Sequence, residues 1–86
     1  MEIGVEISLY PLQEQYAPDI KEFIGRLQSQ QGLRIVTNSM STQVFGAYDT
    51  VMDVLRRELR ATFESLGDRS GKGVFVMKVL GPLAGA

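Results

Sequence analysis

One cluster of polar side chains near the start of the chain could hold a ligand. Glu6, Ser8 and Tyr10 recur at every second position, so on a β-strand they would share one face of the sheet. Together they offer a carboxylate, a hydroxyl and an aromatic ring, and a carboxylate on a covered central strand requires a polar partner. A solvated sheet face explains the same alternation, so both interpretations stay open.

A second cluster lies in the middle of the chain. Five successive residues supply one amide, three hydroxyls and a thioether: Asn38, Ser39, Met40, Ser41 and Thr42. Ordinary turn chemistry accounts for such a composition. The alternative is a donor-rich rim for a heterocycle, because a pocket for a small polar ring combines a few convergent polar groups with apolar walls. Met40 and Phe45 would supply those walls.

A third segment, residues 68–73, contains Arg69, Lys72 and two glycines. Glycines beside cations are found in phosphate-binding loops. This segment has no P-loop spacing, however, and it precedes a strand instead of opening a helix. We therefore predict an ordinary loop between a helix and a strand.

The composition excludes several kinds of active site. The sequence contains no cysteine and no histidine, which rules out disulfides, thiolate zinc sites and a Ser-His-Asp arrangement within one chain. An enzyme would have to use Glu6 and Lys78 as its acid and base. We predict that the protein is not an enzyme and that it has no catalytic residue, no metal site and no cofactor.

Length and charge limit the partners. The 86 residues allow one small domain, and the formal net charge of −1 argues against nucleic acid, whose phosphates attract basic proteins. The sequence has no apolar run of the roughly 20 residues that a spanning helix needs, and its first residues do not resemble a signal peptide. We expect no membrane partner and a cytoplasmic location.

The first half of the chain predicts a strand and a helix. Residues 3–10 alternate between apolar and polar, which is typical of a half-buried strand, and Pro11 ends it. A helix begins near Pro18 and is predicted to end at Gly32. Its apolar stripe recurs at helical spacing and consists of Ile20, Phe23, Ile24 and Leu27.

The second half predicts two more strands, a helix and a last strand. Residues 33–38 and 42–47 form a hairpin whose turn is polar. Asp49 is the predicted N-cap of the next helix, which ends at Gly67. The stripe of that helix comprises Val51, Val54, Leu55, Leu59, Thr62, Phe63 and Leu66. Residues 74–80 are apolar except for Lys78, so we expect this strand to be covered on both faces, with another subunit as one source of that cover.

This order predicts an α+β fold of the ferredoxin-like kind, a β-α-β-β-α-β sandwich. Its four antiparallel strands are expected in the order 4-1-3-2, with both helices on one face. The helices would bury Ile3, Val5, Ile7 and Leu9. Residues 1–80 are predicted to form the single domain, and residues 81–86 a flexible tail.

Three segments resemble one known family. The sequence Ile7-Ser8-Leu9-Tyr10-Pro11-Leu12 is similar to its opening strand, and Met40-Ser41-Thr42-Gln43-Val44-Phe45-Gly46 to its Met-x-Thr-x-x-x-Gly hairpin. The stretch from Gly67 to Val79 resembles its Gly-x-x-Arg segment and closing strand. The chain thus resembles the YkoF-like thiamine-binding proteins over residues 2–80.

The resemblance implies a carrier or sensor that binds thiamine or its hydroxymethylpyrimidine part in thiamine uptake or salvage. It also implies a homodimer, or a dimer of dimers, that associates through sheet faces. The expected ligand-binding residues are Glu6, Ser8, Tyr10, Asn38, Met40, Ser41, Thr42 and Phe45.

Two alternatives to this ligand-binding function stay open. Many relatives carry acidic residues around the hairpin glycine, where this chain has Phe45 and Ala47, so binding would differ if those acids contact the ligand. The competing hypothesis is a structural module whose exposed sheet face only assembles subunits.

Overall fold

The first strand, β1 (Glu2–Pro11), determines which side of the sheet becomes the core. It lies in the interior of a four-stranded antiparallel sheet and pairs with a strand on each side. Its alternate apolar residues are almost fully buried beneath the helices, at most 6% exposed: Ile3, Val5, Ile7 and Leu9. Each such side chain contributes about 1.5–3 kcal/mol on burial. The residues between them reach the opposite side of the sheet.

The computed structural model of the protein describes residues 1–83. After β1 come helix α1 (Ala17–Gln28), strands β2 (Arg34–Thr37) and β3 (Thr42–Ala47), helix α2 (Tyr48–Gly67) and strand β4 (Gly73–Leu80). The strand order is β2-β3-β1-β4. The predicted ferredoxin-like α+β fold, with the order 4-1-3-2 read from the other edge, is confirmed.

Both helices lie against the same side of the sheet. In α1, Phe23 and Leu27 are buried, and in α2 the deeply buried residues include Val51 and Leu66. Phe23 also meets Phe75 of β4 edge-on, with ring centroids 5.0 Å apart. No helix among residues 1–83 is both long enough and apolar enough to cross a membrane.

The helix ends differ from two predictions. Helix α1 ends at Gln28, not at Gly32. The N–H of Ser29 makes the last bond of helical spacing, to the Gly25 carbonyl, whereas the N–H of Gln30 already bonds to Leu27, three residues back, and the Ser29 hydroxyl bonds to the Arg26 carbonyl. Gly32, with φ of +80°, lies in the loop that follows.

At the start of α2 the N-cap is Ala47, not Asp49. Strand β3 continues directly into the helix, and the N–H of Tyr48 is already bonded to the carbonyl of Met1 at 2.9 Å. Asp49 falls within the first turn, where its charge still complements the helix dipole.

The predicted stripe of α2 needs one correction. Phe63 is 47% exposed and meets Phe75 only at the rim, with ring centroids 5.4 Å apart. Glu58 is buried instead, because Arg26 of α1 reaches across to it with an Nε–Oε2 distance of 2.6 Å. This pairing satisfies the carboxylate between the two helices.

The chain after β4 runs beside the start of β1. Leu83 donates its backbone N–H to the carbonyl of Glu2 at 2.9 Å. The predicted flexible tail covers residues 81–86, and residues 84–86 lie outside the described part of the chain.

Candidate functional site

The side of the sheet opposite the helices, which we term the open face, carries the polar residues of β1. Glu6, Ser8 and Tyr10 all lie on it because they alternate with the buried positions. Antiparallel pairing sets Glu6 between Gln43 of β3 and Lys78 of β4. The first predicted cluster therefore forms a continuous polar stripe on a central strand.

Glu6 is the centre of the polar contacts on the open face. Ser41 donates its hydroxyl to Oε2 of Glu6 at 3.2 Å, and Nζ of Lys78 lies 3.9 Å from Oε1. The lysine side chain is 81% exposed, so this ion pair is loose and is screened by water. The carboxylate keeps acceptor positions that a ligand could use.

A cavity of about 240 Å³ lies beside this carboxylate. Two residues of the second polar cluster, Met40 and Ser41 of the hairpin between β2 and β3, border it. The hairpin is a tight turn in which Oδ1 of Asn38 accepts the backbone N–H groups of Met40 and Ser41. The cavity is lined by Glu6, Ser8, Tyr10, Met40, Ser41, Val76 and Lys78.

The same hairpin also borders an adjoining cleft of about 270 Å³, which shares Ser8, Tyr10, Met40 and Ser41 with the open-face cavity. It lies between the sheet and α1, and its apolar wall includes Ile20, Phe23 and Ile24. Asn38 and Thr42 line this cleft and do not line the open-face cavity. Thr42 is 3% exposed, and its hydroxyl lies 3.2 Å from that of Thr37. The fold therefore separates Thr42 from Glu6.

Phe45 lies on the open face, at the other end of the Glu6 stripe. With Glu6 and Lys78 it lines a shallow cavity of about 330 Å³. The guanidinium of Arg34 lies 4.1 Å from the centre of its ring, a cation–π contact. The ring also covers Gly4, where an added Cβ would come within 2.8 Å of Cε1.

Gln43, Val76 and Lys78 line these cavities and were missing from the predicted set. Their positions follow from the pairing register, because each lies beside an open-face residue of β1. A sequence pattern alone does not give that register. Within residues 1–83, acidic side chains do not form a cluster of three that could hold a metal ion.

The loop of residues 68–73 is bonded to the start of helix α1. The Arg69 guanidinium bonds to the buried carboxylate of Asp19 at the start of α1, and Gln13 bonds to the other oxygen of that carboxylate. The hydrogen bond to Asp19 raises the pKa of Arg69 above its ordinary value. The arginine thus joins the end of α2 to the start of α1.

Comparison with known proteins identifies the fold. No protein-family model and no curated protein matches the sequence. A solved structure from Streptococcus pneumoniae is similar, with a TM-score of 0.84 and 19% identity, over 98% of this chain and 90% of that one. A protein from Methanocaldococcus jannaschii has a TM-score of 0.77 and 17% identity, over 99% and 84%.

A third similar structure carries a functional description. It is a Thermotoga maritima protein provisionally assigned to thiamine biosynthesis or salvage. Its TM-score is 0.68 and its identity 20%, over 92% of this chain and 82% of that one. At these identities the likeness shows that the chains share a fold.

Proposed function

We propose that the protein binds thiamine or its hydroxymethylpyrimidine part on the open face, without chemical turnover, in thiamine uptake or salvage. The observation that carries this proposal is the Glu6 carboxylate, which Ser41 holds beside a cavity with apolar walls. The fold shared with the Thermotoga maritima protein supports the choice of ligand.

The aminopyrimidine ring matches the groups around the cavity. Its exocyclic amine donates, and the free acceptor positions of Glu6 would receive it. Its ring nitrogens accept, and the Ser8 hydroxyl, now 3.4 Å from the Met40 carbonyl, could turn to donate to one of them while the Ser41 hydroxyl stays on Glu6. Each such bond contributes about 1 kcal/mol net, and more where a charge takes part.

Apolar side chains around the cavity would cover the flat faces of the ring. Tyr10 and Met40 are 54% and 82% exposed, so both remain available to pack against a ligand. A few hydrogen bonds together with ring burial are compatible with dissociation constants on the order of micromolar.

Replacing Glu6 by Gln tests the site directly. Because the amide lacks the charge and turns one acceptor into a donor, we expect the Kd for thiamine to rise at least about tenfold. Isothermal titration measures it. Glu2→Gln is the matched control, since Glu2 lies on the same face of the same strand but outside the cavities that Glu6 lines. Equal effects of the two substitutions would contradict the proposal.

Lys78 should influence which form of thiamine binds. Its ammonium group would repel the cationic thiazolium of thiamine, whereas it would attract the phosphate of thiamine monophosphate. We expect Lys78→Gln to tighten thiamine binding about threefold and to weaken thiamine monophosphate binding about threefold, as is typical of exposed charges. Parallel titrations at low salt measure both, and a change in the same direction for the two ligands would argue against this role.

The alternative is an assembly module, and a specific observation favours it. The open face exposes apolar side chains on three strands, among them Tyr10, Val36 and Leu80. Stacking two such faces would give a homodimer, or a dimer of dimers, that needs no ligand.

A charge on the open face two strands away from Glu6, outside the cavities that Glu6 lines, separates the two functions. Val36 lies on β2 and lines neither cavity that Glu6 borders. If the open face only assembles subunits, Val36→Asp should reduce the mass measured by light scattering, and no thiamine compound should bind to the wild type. Saturable thiamine binding by the wild type would reject the assembly module as the sole function.

A further inference from the structure

Strand β4 forms one edge of the sheet and is apolar on both of its faces. It pairs with β1 on one side, and within residues 1–83 no strand pairs with its other side. Five of its apolar side chains are between 40% and 64% exposed: Val74, Val76, Met77, Val79 and Leu80. Val74, Val76 and Leu80 lie on the open face, and Met77 and Val79 on the helix side.

The backbone of β4 also has free hydrogen-bonding groups. Leu12 donates its N–H to the carbonyl of Lys72 at 2.8 Å, and the same register continues from Pro11 and Gly73 along the strand. Bonded and non-bonded pairs alternate along an antiparallel ladder. The even-numbered residues of β4 therefore bond to β1. The N–H and C=O groups of the odd-numbered residues point outward: Gly73, Phe75, Met77 and Val79.

The opposite edge of the sheet is protected, and this edge is not. Strand β2 has four residues and includes Arg34, which suits an edge that stays free. Strand β4 has eight residues, no proline and one cation, Lys78. A helix docked on one face of β4 would leave the other face exposed and the outward amides unpaired. An extended strand with apolar side chains on both faces would cover the two apolar faces of β4 and also pair with its outward amides. Strand β4 itself is such a strand.

We propose that β4 pairs antiparallel with β4 of a second copy, about a two-fold axis at Val76. Gly73 then bonds with the partner's Val79, and Phe75 with the partner's Met77, so every outward-pointing residue finds a partner. Moving the axis to Met77 would leave Gly73 without a partner within the strand. This contact lies on the sheet edge, and it is distinct from stacking of open faces.

The charges agree with this register. Lys78 lies opposite the partner's Val74, so the two ammonium groups remain apart. Each lysine also stays beside the Glu6 of its own chain, 3.9 Å away. A parallel, in-register pairing would instead place the two lysines side by side.

The absence of cysteine makes a direct test possible. In the proposed register the two Val76 residues form a non-hydrogen-bonded pair, with Cα atoms about 4.5 Å apart, which is within reach of a disulfide. Stacked sheets are about 10 Å apart, too far for one. We expect most of a Val76→Cys variant to become a covalent dimer on mild oxidation, as measured on a non-reducing gel.

Val74→Cys is the matched control on the same strand and face. Its thiols would lie about 13 Å apart, so this variant should stay monomeric on the gel, whereas a mixture of Val74→Cys and Lys78→Cys should give the heterodimer. Circular dichroism would verify folding of each variant. A Val76→Cys variant that stays monomeric, or a Val74→Cys variant that cross-links with itself as fully, would overturn the proposal.

Discussion

Burial of the alternate apolar residues of β1 beneath two helices is the constraint on which the open face depends. Ile3, Val5, Ile7 and Leu9 are in the core, and the side chains of a strand alternate between faces. Glu6 must therefore point away from the helices. A shift of the strand by one residue would bring the carboxylate into the core and expose the apolar residues, so packing energy fixes the orientation of the site.

The neighbours of Glu6 explain how a carboxylate is tolerated there. It is partly exposed, it accepts a hydrogen bond from Ser41, and it has a largely exposed cation, Lys78, beside it. The ion pair is too loose to satisfy all of its acceptor positions. The site thus combines a strand paired on both sides with a hairpin residue and an exposed lysine, an arrangement in which a ligand can replace the lysine while Ser41 remains.

The pattern of the sequence predicted the six elements and their order because each element has a clear period and turn residues between elements. The turn at Asn38–Ser41 also followed from its composition. Helix ends were less predictable. Helix α1 ends at Gln28, before the expected Gly32, and helix α2 begins at Tyr48, before the expected Asp49, where the Tyr48 N–H bonds to the Met1 carbonyl. These contacts depend on tertiary structure, which local propensity does not contain.

The sequence also could not show which of the predicted site residues lie on the open face and which turn towards the helices. Met40, Ser41 and Thr42 are adjacent in the chain, but Thr42 turns towards the helices while Ser41 reaches Glu6. Which of them faces the ligand depends on hairpin register. The burial of Glu58 and the position of Lys78 beside Glu6 likewise follow from partners on distant elements.

The most direct test of the account is a ¹H–¹⁵N NMR titration with hydroxymethylpyrimidine, because it reports the position of the ligand residue by residue. If the ligand binds at Glu6, the largest shift changes should fall on the amides of Glu6, Ser41 and Val76, with Ile20 and Ile24 nearly unchanged. Saturable changes centred on Ile20 and Ile24 would place the ligand in the cleft under α1 and contradict the open-face site.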